Sequence, residues 1–374
     1  MARNMLTENE KTTIRARATE TLIALELDAS RDPQASSWLN KALPASRSER
    51  CQYFDTEGFL HNPAFATDSE CAAMKEQMRD LVESWDPSQA LDSFGTDDKQ
   101  NSKRGDYFLD SADQVHHFVE PDSLDEDGLR LKPENQSDKL TALNKSGHAL
   151  HLMPGAFHDY CTSEKVRSLV TEMGWKDPVV PQSMYIFKQA RTGGVVNSHQ
   201  DSTFLFTTPR QSCLGLWLAL DDATLDNGCL WVRPKSHNEA TRRQYKRNTK
   251  YFGLESIQAR SNECTGDSSE QKFLMETLHD NSTDWEGAVP ANGWQGLLDE
   301  GFVPIECRTG DLLAFCGELD HLSLANQSSR PRHTFQLHLV EGPEADVIWS
   351  PFNWLQYPDG KTFLRLLDPS VTRL

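Results

Sequence analysis

The chain has 374 residues, of which 37% are hydrophobic and 9% aromatic, so it can bury a sizeable core and is not disordered throughout. Its 38 basic and 56 acidic residues give a net charge of −18, which makes nucleic acid and anionic membranes poor partners. No apolar run approaches the length that is needed to span a bilayer.

Residues 1–49 are predicted to form an N-terminal extension that is partly helical. Within it, residues 12–27 combine helix-favouring Arg, Ala, Glu and Leu with a modest apolar stripe that includes Ile14 and Ala18. The acidic residues in this stretch distinguish it from an organelle transit peptide. A docking arm or a dimer contact would suit such a helix, but a loosely held extension is the simpler interpretation.

Residues 50–374 are predicted to form the main domain. Its first helix is expected to stop at Gly58, where the chain passes into a short strand. Thr67 and Glu70 have the spacing of a capping box, so a second helix should follow them. Met74 and Met78 recur at helical spacing in that segment and are interpreted as core residues.

Strands are predicted to dominate from residue 179 onward. They span residues 179–188, 195–206, 213–220, 229–233, 311–316 and 332–340. Asp226-Asn227-Gly228 is typical of a hairpin turn between two of them. Many short strands with turns between them indicate a jelly-roll of the cupin type, which is a double-stranded β-helix. With helices before and beside it, the fold class is mixed α+β.

The segment around His199 and Asp201 indicates a metal site. On a strand these two side chains would share a face, because side chains two residues apart point the same way. An imidazole and a carboxylate supply two ligands of the 2-His-1-carboxylate triad, which leaves open positions on a non-heme Fe(II). The third ligand must be another histidine that the fold brings in. His237 and Glu239 form a rival pair with the same spacing.

A second group of candidate residues lies downstream. Gly310-Asp311 is a turn signal before an apolar strand, and His321 lies just past the end of that strand. The faces of the last predicted strand separate cleanly into Arg332, Thr334, Gln336 and His338 on one side and His333, Phe335, Leu337 and Leu339 on the other. A buried Arg332 needs an anion, which a dicarboxylate co-substrate would supply. An ion pair with one of the chain's own acids is the alternative.

These residues carry a family resemblance. His199, Asp201, His321, Ser323 and Arg332 resemble the pattern of the phytanoyl-CoA dioxygenase family of Fe(II)/2-oxoglutarate oxygenases. Longer stretches are similar to its phytanoyl-CoA dioxygenase domain-containing protein branch, namely DYFLDS at 106–111, NKSGHALH at 144–151, QSMYIFKQ at 182–189, DATLDNGCLW at 222–231 and WSPFNWLQ at 349–356. The likeness covers most of the chain from about residue 53 to residue 357.

The resemblance implies roles for particular residues. His199, Asp201 and His321 would bind Fe(II), while Arg332 and Ser323 would hold the distal carboxylate of 2-oxoglutarate. Further positions that match the co-substrate site of that branch are Lys145, Met184, Gln200 and Trp217. Packing explains Met184 and Trp217 about as well, and Lys145 would otherwise be a solvated lysine at a helix end. The rival pair at 237 and 239 falls in a family-like turn and is interpreted as structural.

His148 and His151 lie three residues apart on a stretch that is predicted to be helical, where they would suit a metal pair. The matching stretch in the family is not the iron site. The two side chains are therefore interpreted as satisfied or pocket-lining histidines.

The implied function is that of an Fe(II)- and 2-oxoglutarate-dependent dioxygenase that uses O2 to hydroxylate a small organic substrate, with succinate and CO2 as co-products. One alternative is a catalytically silent jelly-roll protein with a binding or regulatory role. Another is a cupin-type metalloenzyme that does not use 2-oxoglutarate. The intact triad counts against the first, and Arg332 at its family spacing counts against the second. Substrate identity and oligomeric state stay open.

Residues 241–298 are predicted to be an insert, because the interval between Asp201 and His321 is longer than the family pattern. The insert contains a basic run at 242–250. This run would suit a phosphorylated or CoA-bearing substrate. A solvated loop that balances nearby acids is the preferred interpretation.

The cysteines and the C-terminus bear on the cellular compartment. The eight cysteines include no Cys-x-x-Cys pair and no secretory segment precedes them, so we expect reduced thiols in a cytoplasmic protein. Thr372-Arg373-Leu374 is faintly similar to a peroxisomal address, which is the alternative, but a threonine occupies the position expected to be a smaller residue.

Overall fold

The structure is a computed structural model that describes residues 5–24, 47–88, 91–94, 104–128, 130–279, 289–290 and 293–370. Thr372-Arg373-Leu374, residues 25–27 of the first predicted helix and part of the predicted insert lie outside these ranges. Within them, no helix has both the length and the apolar character that crossing a membrane requires.

The described helices are α1 (Glu8–Ala24), α2 (Arg47–Glu57), α3 (Asp68–Ser84), α4 (Asp106–Asp110), α5 (Pro133–Gln136), α6 (Ala156–Cys161), α7 (Glu164–Glu172), α8 (Thr249–Phe252), α9 (Leu254–Gln258) and α10 (Trp294–Asp299). The described strands are β1 (Phe59–Asn62), β2 (Asp92–Ser93), β3 (Val115–Val119), β4 (Leu143–His148), β5 (Pro178–Ile186), β6 (Val196–His199), β7 (Thr207–Thr208), β8 (Leu214–Ala219), β9 (Leu230–Val232), β10 (Arg243–Arg247), β11 (Phe273–Thr277), β12 (Val303–Ile305), β13 (Leu312–Cys316), β14 (His321–Ser323), β15 (Thr334–Glu341), β16 (Ile348–Trp349) and β17 (Leu364–Arg365).

Two sheets form the core of the domain. The major sheet has nine strands in the order β1-β13-β8-β15-β5-β4-β3-β2, with β17 beside β5. The minor sheet has four strands in the order β12-β9-β14-β6. Except for the parallel β2–β3 contact, the strand pairs of both sheets are antiparallel. This confirms the predicted double-stranded β-helix.

The two faces of the major sheet have different surroundings. The ring of Phe335 on β15 lies 5.0 Å from that of Phe157 on α6, so helices cover this face. Met184, Gln336 and Trp217 are cross-strand partners on β5, β15 and β8, and their side chains line the cavity on the opposite face. The predicted alternation of the last long strand is therefore confirmed.

Helix α3 begins as the capping box predicts. The Thr67 hydroxyl accepts a hydrogen bond from the Glu70 backbone N–H, and the Glu70 carboxylate accepts one from the Thr67 backbone N–H at 2.8 Å. Met74 and Met78 are fully buried on its inner side. Helix α2 likewise ends before Gly58, whose φ of +84° is readily adopted only by glycine.

Helix α1 is packed against the domain, so the expectation of a loosely held extension is wrong for its described part. Ile14 and Ala18 are completely buried in the main core. Lys11 pairs with Asp226 at 2.5 Å, and Arg15 pairs with Glu306 at 2.7 Å. Apolar burial and ion pairs together fix the helix at one position, which the weak apolar stripe alone did not predict.

Two local predictions differ from the structure. His148 and His151, predicted to lie on a helix, lie instead at the end of β4 and in a 3-10 turn at Leu150–Leu152. Asp226-Asn227-Gly228 is a turn, but it joins β8 to β9, which lie in different sheets and therefore do not form a hairpin. In both cases the pairing with distant strands overrides the local signal.

We expect Ile14→Ala to loosen helix α1. The side chain is completely buried, and truncating a buried isoleucine costs about 2–5 kcal/mol. Hydrogen exchange followed by mass spectrometry should show faster amide exchange in residues 8–24. Arg17→Ala is the control, because Arg17 forms only an exposed ion pair with Asp299. Unchanged exchange in the Ile14 variant would contradict the docking of α1.

Candidate active site

Two histidines and an aspartate converge where the minor sheet ends. His199 is the last residue of β6 and His321 the first residue of β14, and the two are direct cross-strand partners. The Nε2 atoms of His199 and His321 lie 3.5 Å and 3.7 Å from Asp201 Oδ1. One ligand atom from each of the three residues lies within 4.8 Å of the others.

The local backbone differs from the predicted strand over 195–206. Strand β6 ends at His199, and a 3-10 turn begins at Asp201, whose carbonyl accepts the N–H groups of Phe204 and Leu205. His199 and Asp201 are therefore not two positions on one strand face. The turn itself brings the Asp201 carboxylate beside the imidazole.

Backbone carbonyls orient both imidazoles. His199 Nδ1 donates to the Asn197 carbonyl at 2.8 Å, and His321 Nδ1 donates to the Leu319 carbonyl at 3.0 Å. Each ring then carries its lone pair on Nε2, the atom that is near Asp201. Burial and the neighbouring His199 lower the pKa of His321 to about 4, which keeps its ring neutral at physiological pH.

A third histidine holds the second oxygen of Asp201. His338 Nε2 lies 3.1 Å from Asp201 Oδ2, while the Gln182 amide lies 3.3 Å from His338 Nδ1. An amide donor at Nδ1 makes Nε2–H the donor to the carboxylate. Burial alone would raise the pKa of Asp201, but the imidazoles of His338 and His321 outweigh it and hold the pKa well below its usual value. Two neutral imidazoles and one oriented carboxylate fit the donor set of a non-heme Fe(II) site.

The three residues line a cavity of about 1000 Å³. Predicted site residues that also line it are Lys145, Met184, Trp217, Ser323 and Arg332. Gln200 does not face it. The Gln200 side chain is completely buried elsewhere, donating to the Glu318 carbonyl at 2.9 Å and accepting from the Arg242 N–H at 3.0 Å. The Gln200 amide therefore links the backbone of Glu318 to that of Arg242.

Arg332 is buried without an acidic partner. Its guanidinium donates to the Gly228 carbonyl at 2.9 Å and to Thr334 Oγ1 at 3.3 Å, and it lies 5.3 Å from the Trp217 ring. Within the described ranges, Arg332 Nε and Trp217 Nε1 have no hydrogen-bond partner. No carboxylate of the described residues lies within ion-pairing distance of Arg332. The predicted alternative of an internal ion pair is thus absent from this part of the chain.

Lys145 is a strand residue that is buried in the cavity wall. Its Nζ lies 3.0 Å from His148 Nε2, 3.8 Å from Met184 Sδ and 3.5 Å from the centre of the Phe94 ring. His148 Nδ1 in turn lies 2.8 Å from Ser111 Oγ. Burial lowers the pKa of Lys145 well below its usual value. The interpretation as a solvated lysine at a helix end is wrong.

Other residues that could have been metal ligands by sequence are held by contacts elsewhere. His237 Nε2 donates to the Asp55 carbonyl at 3.0 Å, and Glu239 pairs with Arg233 at 2.7 Å. His151 Nδ1 lies 2.8 Å from Ser183 Oγ. These side chains brace the structure, as interpreted from the sequence.

A second group of possible metal ligands lies outside the cavity. It consists of His61, Cys307 and Asp311, and the Asp311 carboxylate already accepts hydrogen bonds from His61 Nε2, the Ala64 N–H and the Arg308 N–H. These contacts make Asp311 a brace for the turns around it.

The described part of the predicted insert forms one wall of the cavity. Strands β10 and β11 pair with each other, and Arg243, Tyr245 and Met275 of this two-stranded sheet line the cavity. Other cations of the basic run pair with acids, as Lys246 does with Glu276. Further pairs of this kind are Arg242 with Asp320 and Lys250 with Glu270. These pairs agree with a run that balances nearby acids. The predicted solvated loop is wrong, because residues 243–247 form strand β10 and the side chains of Arg242 and Arg247 are buried.

Two residues of the site had no role in the sequence-based prediction. His338 was assigned to the correct strand face, but its contact with Asp201 joins β15 of the major sheet to the turn after β6, which a sequence pattern does not show. Lys188 follows β5, and its Nζ lies 2.9 Å from Ser323 Oγ. A lysine just after a strand is common, so nothing in the sequence alone distinguishes it.

Comparisons with known proteins agree with this arrangement. A family model described as Phytanoyl-CoA dioxygenase (PhyH) matches residues 54–334. Phytanoyl-CoA dioxygenase domain-containing protein 1 of Mus musculus is 39% identical over 307 residues, covering 81% of this chain and 92% of the relative. Phytanoyl-CoA dioxygenase of Arabidopsis thaliana is 33% identical over 308 residues, covering 82% and 93%.

A solved structure shares the fold. It is the epimerase SnoN in complex with Fe3+, alpha ketoglutarate and nogalamycin RO, with a TM-score of 0.52 and 12% identity. The match covers 85% of this chain and 92% of that one.

We expect His338→Leu to weaken metal binding, because Asp201 loses the donor that orients it. Loss of such an outer contact typically costs about 10–100-fold in metal affinity. Calorimetric titration with Co(II) under anaerobic conditions measures the change in metal affinity. His333→Leu is the matched control, since His333 faces away from the cavity and bonds to the Tyr185 hydroxyl at 2.8 Å. Equal affinities in the two variants would contradict the role of His338.

Proposed function

Because the chain belongs to the phytanoyl-CoA dioxygenase family of Fe(II)- and 2-oxoglutarate-dependent oxygenases, we propose that it hydroxylates a small organic substrate and releases succinate and CO2. The observation that carries this proposal is a single cavity lined by the three candidate ligands and by a buried arginine without an acidic partner. The three candidate ligands suit iron, and the buried arginine suits the distal carboxylate of the co-substrate.

His199, Asp201 and His321 would hold Fe(II) from one side. Three protein ligands leave positions for 2-oxoglutarate and O2. When bound, the metal supplies the O2 chemistry that couples oxidative decarboxylation of the co-substrate to hydroxylation. The chain's own contribution is to orient the ligands, through the two backbone carbonyls and His338.

Arg332 and Ser323 would bind the distal carboxylate of 2-oxoglutarate. The Arg332 side chain is buried, its Nε–H has no partner among the residues that the structure describes, and burial lowers its pKa only to about 10, so it stays charged. A buried guanidinium is stabilised by a carboxylate that accepts two parallel hydrogen bonds. Trp217 Nε1 lies on the wall of the same cavity and is a further buried donor to which no described residue offers an acceptor.

Lys145 and Met184 would line the rest of the co-substrate site. They lie 3.8 Å apart on neighbouring strands of the major sheet. The His148 ring contacts Lys145 Nζ at 3.0 Å, so the end of this side chain has little freedom to move. Such fixed donors orient a bound ligand without further ordering cost.

The remaining cavity is suited to an apolar part of a substrate. Its wall contains the aromatic side chains of Phe94, Phe108, Phe204, Tyr245 and Trp354. A volume of about 1000 Å³ accommodates both a co-substrate and a small organic molecule. Apolar walls also exclude water from the reaction. A concave cavity and a net charge of −18 both favour a small molecule over nucleic acid or a membrane as the partner.

The proposed activity can be tested by anaerobic reconstitution. The purified chain is loaded with Fe(II), mixed with 2-oxoglutarate and candidate compounds or a metabolite extract, and then exposed to O2. We expect succinate release together with a product that is one oxygen atom heavier. Succinate release without any heavier product, across the whole extract, would contradict hydroxylation.

We expect Asp201→Ala and His321→Ala to abolish 2-oxoglutarate turnover, because each removes a metal ligand. Arg332→Ala should mainly raise the KM for 2-oxoglutarate, by at least about tenfold, since a buried charged contact is lost. Succinate assays over a range of co-substrate concentrations measure both effects. Arg330→Ala is the matched control, because Arg330 is exposed and should leave the KM unchanged. Undiminished succinate release by the His321 variant would defeat the assignment.

A further inference from the structure

Lys188 is a second buried cation beside the proposed carboxylate site. Its side chain is 3% exposed and lines the cavity. Its Nζ donates to Ser323 Oγ at 2.9 Å and to the Gly194 carbonyl at 2.8 Å. The lysine therefore contacts one of the two residues that would bind the distal carboxylate.

The backbone of Lys188 is held in an uncommon conformation by the segment that carries Arg332. Its φ is +31°, a value that residues other than glycine adopt rarely and at a cost. The Lys188 carbonyl accepts the Arg332 N–H at 3.1 Å and the Asn326 side-chain amide at 2.9 Å. These contacts fix the positions of Lys188 and Arg332 relative to each other.

Gly228 allows the two cations to lie side by side. Its carbonyl accepts a hydrogen bond from the Arg332 guanidinium. A Cβ atom at this position would lie 2.3 Å from Lys188 Cε and 2.5 Å from the Leu324 carbonyl oxygen. Glycine also readily adopts the φ of +83° found here.

The charges of the two side chains are not balanced by an ion pair. No carboxylate of the described residues lies within ion-pairing distance of Lys188 Nζ. Burial lowers the pKa of Lys188 well below its usual value, and Arg332 lowers it further. The nearby acid is Glu120, whose Oε1 has no hydrogen-bond partner and whose pKa burial raises to about 7. Burial and Arg332 both disfavour the protonated form of Lys188, and an anion between the two side chains would oppose these effects and keep the lysine charged.

We propose that Lys188 is a positioning residue for the distal carboxylate of 2-oxoglutarate and supplies the second positive charge of that subsite. The inference rests on the proposed function. Because Ser323 Oγ accepts from Lys188, the Ser323 hydroxyl proton is directed away from the lysine and donates to the carboxylate. Lys188 thus acts through Ser323, and its charge adds to that of Arg332.

The test compares two ligands that differ only in the group concerned. Enzyme loaded with Mn(II) is titrated anaerobically with 2-oxoglutarate and with 2-oxobutyrate, which has the same 2-oxo acid end but no distal carboxylate. We expect Lys188→Met to weaken 2-oxoglutarate binding by about 10- to 100-fold, the range for a lost hydrogen bond to a charged group. Binding of 2-oxobutyrate should stay unchanged, which also shows that the variant is folded.

Three further variants sharpen the comparison. Lys188→Gln keeps a donor to Ser323 without the charge, so it should lose less affinity for 2-oxoglutarate than Lys188→Met does. If Lys188→Met fails to fold, the affinity of Lys188→Gln tests the inference instead. Lys188→Met combined with Ser323→Ala should cost less than the product of the single effects, because the two residues act together. Lys250→Met is the matched control, since the Lys250 side chain is 73% exposed.

The outcomes test the role of Lys188 separately from the proposed use of 2-oxoglutarate. Wild-type affinity for 2-oxoglutarate in both Lys188 variants would overturn the inference, as would an equal loss of both ligands, which indicates a purely structural role. A wild-type chain that does not prefer 2-oxoglutarate over 2-oxobutyrate would instead overturn the proposed co-substrate.

Discussion

The direct pairing of His199 with His321 across two strands of the minor sheet is the interaction on which the site depends. These residues are far apart in the chain, and only the antiparallel register of β6 and β14 makes them neighbours. A shift by one residue would turn one imidazole to the other face of the sheet. Backbone hydrogen bonds between β6 and β14 therefore determine how the two candidate histidine ligands are arranged, and the adjoining turn adds Asp201.

A second constraint is the burial of positive charge at the other end of the cavity. Among the described residues, the hydrogen-bond acceptors of Arg332 and Lys188 are neutral oxygen atoms of Gly228, Thr334, Gly194 and Ser323. Neutral acceptors offset part of the cost of burying positive charge, and an anionic ligand would offset more of it. If the proposed site binds a dicarboxylate, that ligand would also stabilise this region, because it would bind only the folded state.

The sequence predicted the features that depend on local pattern. The capping box of α3, the alternation along β15 and the jelly-roll core follow from spacing and turn signals, and the triad follows from residue type with the family resemblance. The features that it did not predict depend on register or on contacts between distant segments. Examples are the turn at Asp201, the docking of α1 through Ile14, the contact of His338 with Asp201, and the orientation of Gln200 away from the cavity.

Strands β10 and β11 form a two-stranded sheet that pairs with neither of the two core sheets. This small sheet nevertheless contributes Tyr245 and Met275 to the wall of the cavity. Because the pairing of β6 with β14 does not involve it, a substitution at Tyr245 or Met275 would reshape the cavity and leave the pairing of His199 with His321 in place. The shape of the cavity and the positions of the candidate metal ligands could therefore evolve independently.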